Sequence, residues 1–255
     1  MRFSDIQQKI QNAPMLDFGD IFNESIELFK KVWLQGLIMI LLSFAFAIPF
    51  ILITYLPLLA LGIADAFTYG DYSDLAPFAL LFMVIAYLFF VFVMVVISLG
   101  LKTALYKIMR QKEIDSTEKD DYFYFLRRRY LSKTINLSLA YLGITLLATL
   151  LCFLPVIYVI VPLNLLVVIY AFNPDMSNSE LIKACFELGN KKWLITFGLV
   201  IVAGILAQIV GSILCGIGIF FTACFAYIPP YFIYKKVIGF DESPSLEVIG
   251  TEDPE

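Results

Sequence analysis

Residues 134–174 read TINLSLAYLGITLLATLLCFLPVIYVIVPLNLLVVIYAFNP, 41 positions between Lys133 and Asp175 without a charge. A helix rises about 1.5 Å per residue and needs roughly 20 residues to cross a hydrocarbon core of roughly 30 Å. The tract is too long for one crossing and long enough for two. Pro155, in CFLPV, lies where a turn between them belongs, because proline cannot continue a helix interior. Three more charge-free tracts follow the same arithmetic: 33 residues between Lys31 and Asp65, 27 between Asp74 and Lys102, and 42 between Lys192 and Lys235. The first two hold one crossing each. The last folds as a second pair, with Gly216 and Gly218 in SILCGIG at its break. The sequence thus predicts an all-α, polytopic membrane protein with six transmembrane helices, at roughly 34–57, 77–104, 134–152, 156–173, 193–212 and 216–235.

Composition agrees. The 255 residues are 60% hydrophobic and 16% charged, with a mean hydropathy of +0.85, whereas soluble domains carry about a quarter charged residues. Residues 1–237 read as a single transmembrane domain, and 238–255 as an acidic, disordered tail. The polar first 31 residues predict no cleavable signal peptide, so the first crossing serves as the insertion signal. Cys152, Cys185, Cys215 and Cys224 form no CxxC pair and read as small apolar fillers.

The basic residues test the count independently. All 18 fall within 2–31, 102–133, 183–192 and 235–236, which six crossings place on one side of the bilayer. Asp65, Asp71 and Asp74 fall on the other side. Cytoplasmic loops collect Lys and Arg, so both termini are expected in the cytoplasm.

A polar island, residues 172–194, separates the two longest tracts. Within it Ser177 and Glu180 form an S-x-x-E capping box. Leu181, Ile182, Cys185, Phe186 and Leu188 make an apolar stripe opposite Glu180, Lys183, Glu187 and Lys191. Lys191, Lys192 and Trp193 then mark an interfacial entry to the next crossing. Residues 17–33 repeat the pattern, ending in Lys30, Lys31 and Trp33, and residues 120–133 give a weaker version. The expected architecture is three hairpins, each preceded by a cytoplasmic amphipathic interfacial helix.

NPDMSNSELIKACFELGNKKW, followed by a hairpin ending IPPYFIYKK, resembles uncharacterised bacterial six-span proteins related to the membrane domain of glycerophosphoryl diester phosphodiesterases. The resemblance covers mainly residues 130–237. It implies the architecture and carries over no catalytic residue, since this chain has no histidine.

Chemistry is sparse. The histidine-free chain lacks the commonest general base and metal ligand. No charge falls near the middle of an expected crossing, where ion-coupled carriers keep one. No enzymatic activity, cofactor, metal site or nucleic-acid partner is expected. Asn164, close after Pro162, has two readings: it lines a path for a neutral solute, or it bonds a neighbouring helix or the carbonyl freed by Pro162 near residue 158. Arg127, Arg128, Arg129 and Lys133, beside Tyr122–Phe125, either hold anionic lipid headgroups or only mark topology. Ala203, Ala207 and Gly211 form a small-residue stripe that packs within the chain or against a second copy. The leading functional expectation is a non-enzymatic membrane component organising lipid or partner proteins. The alternative is a carrier or channel for a neutral or apolar solute.

Overall fold

The computed structural model describes the backbone of residues 1–60, 77–151, 154–213 and 216–240, and their side chains except 53–60 and 77–80. The acidic tail beyond 240, the connection bearing Asp65, Asp71 and Asp74, Cys152 and Cys215 lie outside the described residues. Within them the chain is all-helical: α1 (Phe3–Gln11), α2 (Phe18–Ala60), α3 (Pro77–Glu113), a 3-10 turn (Tyr124–Leu126), α4 (Arg128–Leu150), α5 (Leu154–Phe172), α6 (Asn178–Lys191), α7 (Trp193–Ile213), α8 (Gly218–Thr222), a second 3-10 turn (Ala223–Tyr227) and α9 (Ile228–Val237).

Five helices are long and apolar enough to cross a membrane, with described parts at Phe18–Leu52, Leu81–Glu113, Arg128–Leu150, Leu154–Phe172 and Trp193–Ile213. The expected crossing at 216–235 is different: it breaks into α8, a 3-10 turn and α9. Pro229 and Pro230 sit in the first turn of α9, where missing N–H groups cost nothing and where prolines cannot accept a helix arriving from upstream. Gly216, at φ +81°, makes the expected reversal after α7, a conformation glycine adopts without steric cost. Thr222 Oγ1 then donates to the Ala207 carbonyl at 2.7 Å. A Cβ on Gly211 would come within 2.7 Å of the Ile219 backbone. The Ala203, Ala207, Gly211 stripe is therefore buried inside this chain, against α8 and the turn that follows it.

The expected interfacial helices are also revised. The amphipathic segment at 17–33 does not stand apart from the first crossing, because both belong to the 43-residue α2. Nothing between them breaks the helix, and Asp17 caps its start by accepting the Asp20 N–H at 2.9 Å. Residues 120–133 hold a 3-10 turn and the start of α4 rather than an amphipathic helix. The island does form its helix, α6, with both arms of the capping box: Ser177 Oγ accepts from Glu180 N at 3.3 Å, and Glu180 Oε2 accepts from Ser177 N at 2.8 Å. It lies along α5 rather than apart. Residues 173–177 keep one pair of ends together, while at the other Gly189 seats on Pro162, Tyr158 bonds Asn190, and Trp193 Nε1 donates to the Tyr158 carbonyl at 3.1 Å. Of the expected apolar stripe, Leu181, Cys185 and Leu188 are consequently buried, with Ala184 beside them, while Ile182 and Phe186 are half-buried.

The bundle has two unlike ends. One is a packed core of α1, the start of α2, residues 99–109 of α3, Phe125, Val161–Ala171 of α5, α6 and α9. Phe172 lies 5.1 Å from Tyr234 and 4.7 Å from Phe240, ring centre to ring centre. Glu113 at the end of α3 accepts hydrogen bonds from Tyr231 and Lys235 of α9, and Lys236 pairs with Glu24 of α2 at 2.7 Å. Lys9 of α1 reaches the carbonyl of Ile238 at 2.8 Å, so the beginning and end of the described chain meet here. The other end exposes its apolar side chains: Leu41, Phe44 and Ile48 on α2, Leu81–Phe89 on α3, Leu146, Leu147 and Leu150 on α4, and Ile201, Ile205 and Ile209 on α7.

Candidate functional site

Where the two ends meet, α3 presents a row spaced by full turns: Phe90, Met94, Ser98, Lys102 and Tyr106. A four-residue step keeps side chains on one helical face. Together with Ser43 of α2, Tyr141 of α4, Leu163, Asn164 and Val167 of α5 and Tyr227 of the second 3-10 turn, that face lines an open cavity of about 450 Å³. A second cavity of about 320 Å³ adjoins it, walled by Met39, Ile40, Phe44 and Ala47 of α2. Ser43, Met94, Ser98, Lys102 and Tyr227 line both, so the two lobes share a wall that includes one lysine.

Lys102 is half-buried, its ammonium 4.8 Å from the centre of the Tyr227 ring. A cation over an aromatic face gains about 0.5–2 kcal/mol, depending on how far it is desolvated. No carboxylate lies within ion-pair distance of it among the described residues. Among the other cations of α2 and α3, Lys31 pairs with Asp115 at 2.9 Å, Lys112 with Asp120 at 3.0 Å, and Arg110 with Glu113 at 3.2 Å, whereas Lys107 sits over the Tyr124 ring at 3.6 Å as Lys102 sits over Tyr227. The break before α9 matters here, since the 3-10 turn is what brings Tyr227 over Lys102.

Of the residues singled out in the sequence, Asn164 does line the larger lobe. Its Nδ2 donates to the Ile160 carbonyl at 2.7 Å. Pro162 faces elsewhere, into α6, where a Cβ on Gly189 would fall 2.8 Å from its ring. The Tyr158 carbonyl, four residues before Pro162, is satisfied by Trp193 and not by Asn164. The structure thus separates Asn164 from Pro162.

The basic segment is also divided. Arg127 pairs with Asp121 at 2.8 Å, Arg129 lies 5.3 Å from the Tyr130 ring centre, and Arg128 is exposed. Lys133 donates to the carbonyls of Pro174 (2.6 Å) and Met176, closing the turn between α5 and α6. Phe125, among the aromatics beside these arginines, is buried against Tyr170 at 4.9 Å. Lys102 was missed in the sequence because it ends a charge-free tract and so reads as a boundary marker. The available signal was the spacing Ser98, Lys102, Tyr106 on an otherwise apolar helix face.

Among the described residues no group of His, Cys, Asp or Glu could hold a metal ion. Comparisons with protein families, curated proteins and solved structures find no match.

Proposed function

We propose that the protein is a non-enzymatic, multi-pass component of a bacterial cytoplasmic membrane that organises lipid, holding it in the two-lobed cavity between α2, α3, α4 and α5. The observation carrying this reading is the cavity's construction: apolar walls drawn from several helices and a small polar junction, the usual form of a small-molecule site. The exposed apolar end supports a bilayer around the cavity's outer side, since contiguous apolar surface on this scale is not stable in water. Both termini are placed in the cytoplasm, supported by the 18 basic residues and by the Lys9–Ile238 contact, which brings the chain back to the end from which it started. The six-span resemblance over residues 130–237 supports the same class and supplies no reaction.

A carrier for a neutral solute is the second reading, favoured by Asn164 on the cavity wall. Native mass spectrometry of the full chain after gentle extraction separates the two. Lipid retained at about one molecule per chain, and retained equally by Asn164→Leu, is the expected result. No retained lipid, together with solute flux in vesicles that Asn164→Leu abolishes, would reverse the order.

A further inference from the structure

Lys102 lines both lobes of the cavity and has no carboxylate partner among the described residues. A cation moved out of water is costly unless it is paired, and while Lys31, Lys112 and Arg110 have carboxylate partners, Lys102 has none among the described residues and, like Lys107 over Tyr124, rests on an aromatic face. Its surroundings are otherwise neutral: Ser43, Ser98 and Tyr227 beside it, Met, Phe, Val and Leu beyond. A bound anion would supply the missing charge, and the three hydroxyl side chains could donate to its oxygens. The two lobes of about 450 and 320 Å³ both reach this lysine, and both have apolar walls.

From this juxtaposition we infer that the cavity selects a two-chain anionic phospholipid, its phosphate group at Lys102 and one acyl chain in each lobe. The inference rests on the lipid-holding reading above and adds the headgroup charge and the chain number. A zwitterionic lipid of the same chains brings its own cation and gains less. A single-chain carboxylate satisfies the lysine but leaves one lobe empty.

The test uses the full chain in mild detergent, offered phosphatidylglycerol, phosphatidylcholine with the same acyl chains, palmitate, or inorganic phosphate, and read by native mass spectrometry. Phosphatidylglycerol should be retained about fivefold over phosphatidylcholine, the preference expected of one basic residue near an anionic headgroup. Lys102→Met should erase that preference, Lys102→Arg should keep it, and Lys183→Met on the exposed face of α6 should leave it unchanged. A thermal melt of each variant shows that it is folded. Equal retention of the two phospholipids by the unaltered chain, or an undiminished preference in a folded Lys102→Met, overturns the charge assignment while lipid holding stands. Palmitate held better than phosphatidylglycerol overturns the two-chain assignment. Displacement of phosphatidylglycerol by inorganic phosphate makes the site one for free phosphate and overturns the inference. Retention of no lipid at all contradicts the underlying reading itself.

Discussion

Leu154–Ile160 and Val161–Ala171 belong to one helix, are equally apolar, and have opposite surroundings. In the first segment Leu154, Ile157, Tyr158 and Ile160 are exposed, whereas in the second nearly every side chain is buried under α4, α6 and α9. The same division runs along α3, from exposed Leu81–Phe89 to buried Leu99–Met109. Hydropathy reads both segments as lipid-facing. Packing distinguishes them, because a side chain seated among others contributes to fold stability and one facing lipid does not. Lys102 and its cavity lie at the junction.

The comparison is broken most directly by truncating one residue from each end. Leu105→Ala, at 1% exposure, removes a core side chain and should cost about 2–5 kcal/mol. Leu147→Ala, at 63% exposure, should stay within about 0.5 kcal/mol. Thermal or denaturant unfolding in detergent reads both, and equal losses would erase the distinction. Next in size is Gly189→Val, which forces a branched side chain against Pro162 and should cost about 1–3 kcal/mol by overpacking. Faster hydrogen exchange confined to residues 178–191 would show that α6 has lifted from α5.

Cys185 sharpens the same contact. Burial on the inner face of α6 pushes its thiol up to about 12 from an ordinary 9.0. Because the folded chain holds the proton more tightly, this contribution to stability is present below pH 9 and lost as pH rises towards 12. Maleimide should therefore leave Cys185 unmodified at neutral pH, and Gly189→Val should make it reactive. The smallest effect is at the cap. Hydrogen bonds from Ser177 hold the exposed Glu180 carboxyl below its usual value, so the stability it lends is present above the ordinary carboxylate range and lost as pH falls through the lowered one. Circular dichroism should show a slight acid-side loss of helix that Glu180→Gln removes.

Much of this was legible in the sequence, for identifiable reasons. The charge-free tracts located the five long helices, the Ser177–Glu180 box located α6, and Gly216 located the reversal, since each is a local signal. Two features were not local. Pro229-Pro230 announces that the last helix breaks, but the course of 223–227 depends on α8 docking to Ala207 and Gly211. The position of α6 along α5 depends on Gly189 meeting Pro162, two residues far apart in the sequence. Lys102 falls between these cases: its spacing was visible, but its partner Tyr227 arrives only through the break.

The most direct measurement is the accessibility of spin labels to oxygen, which partitions into lipid, and to a polar nickel chelate, which does not. Labels at Ile85, Leu146 and Ile205 should collide mainly with oxygen in reconstituted bilayers, and labels at Arg128 and Ser179 mainly with the chelate. Chelate access at the first three, matching that at the last two, would contradict a molecule with one lipid-facing end and one end packed around its own core.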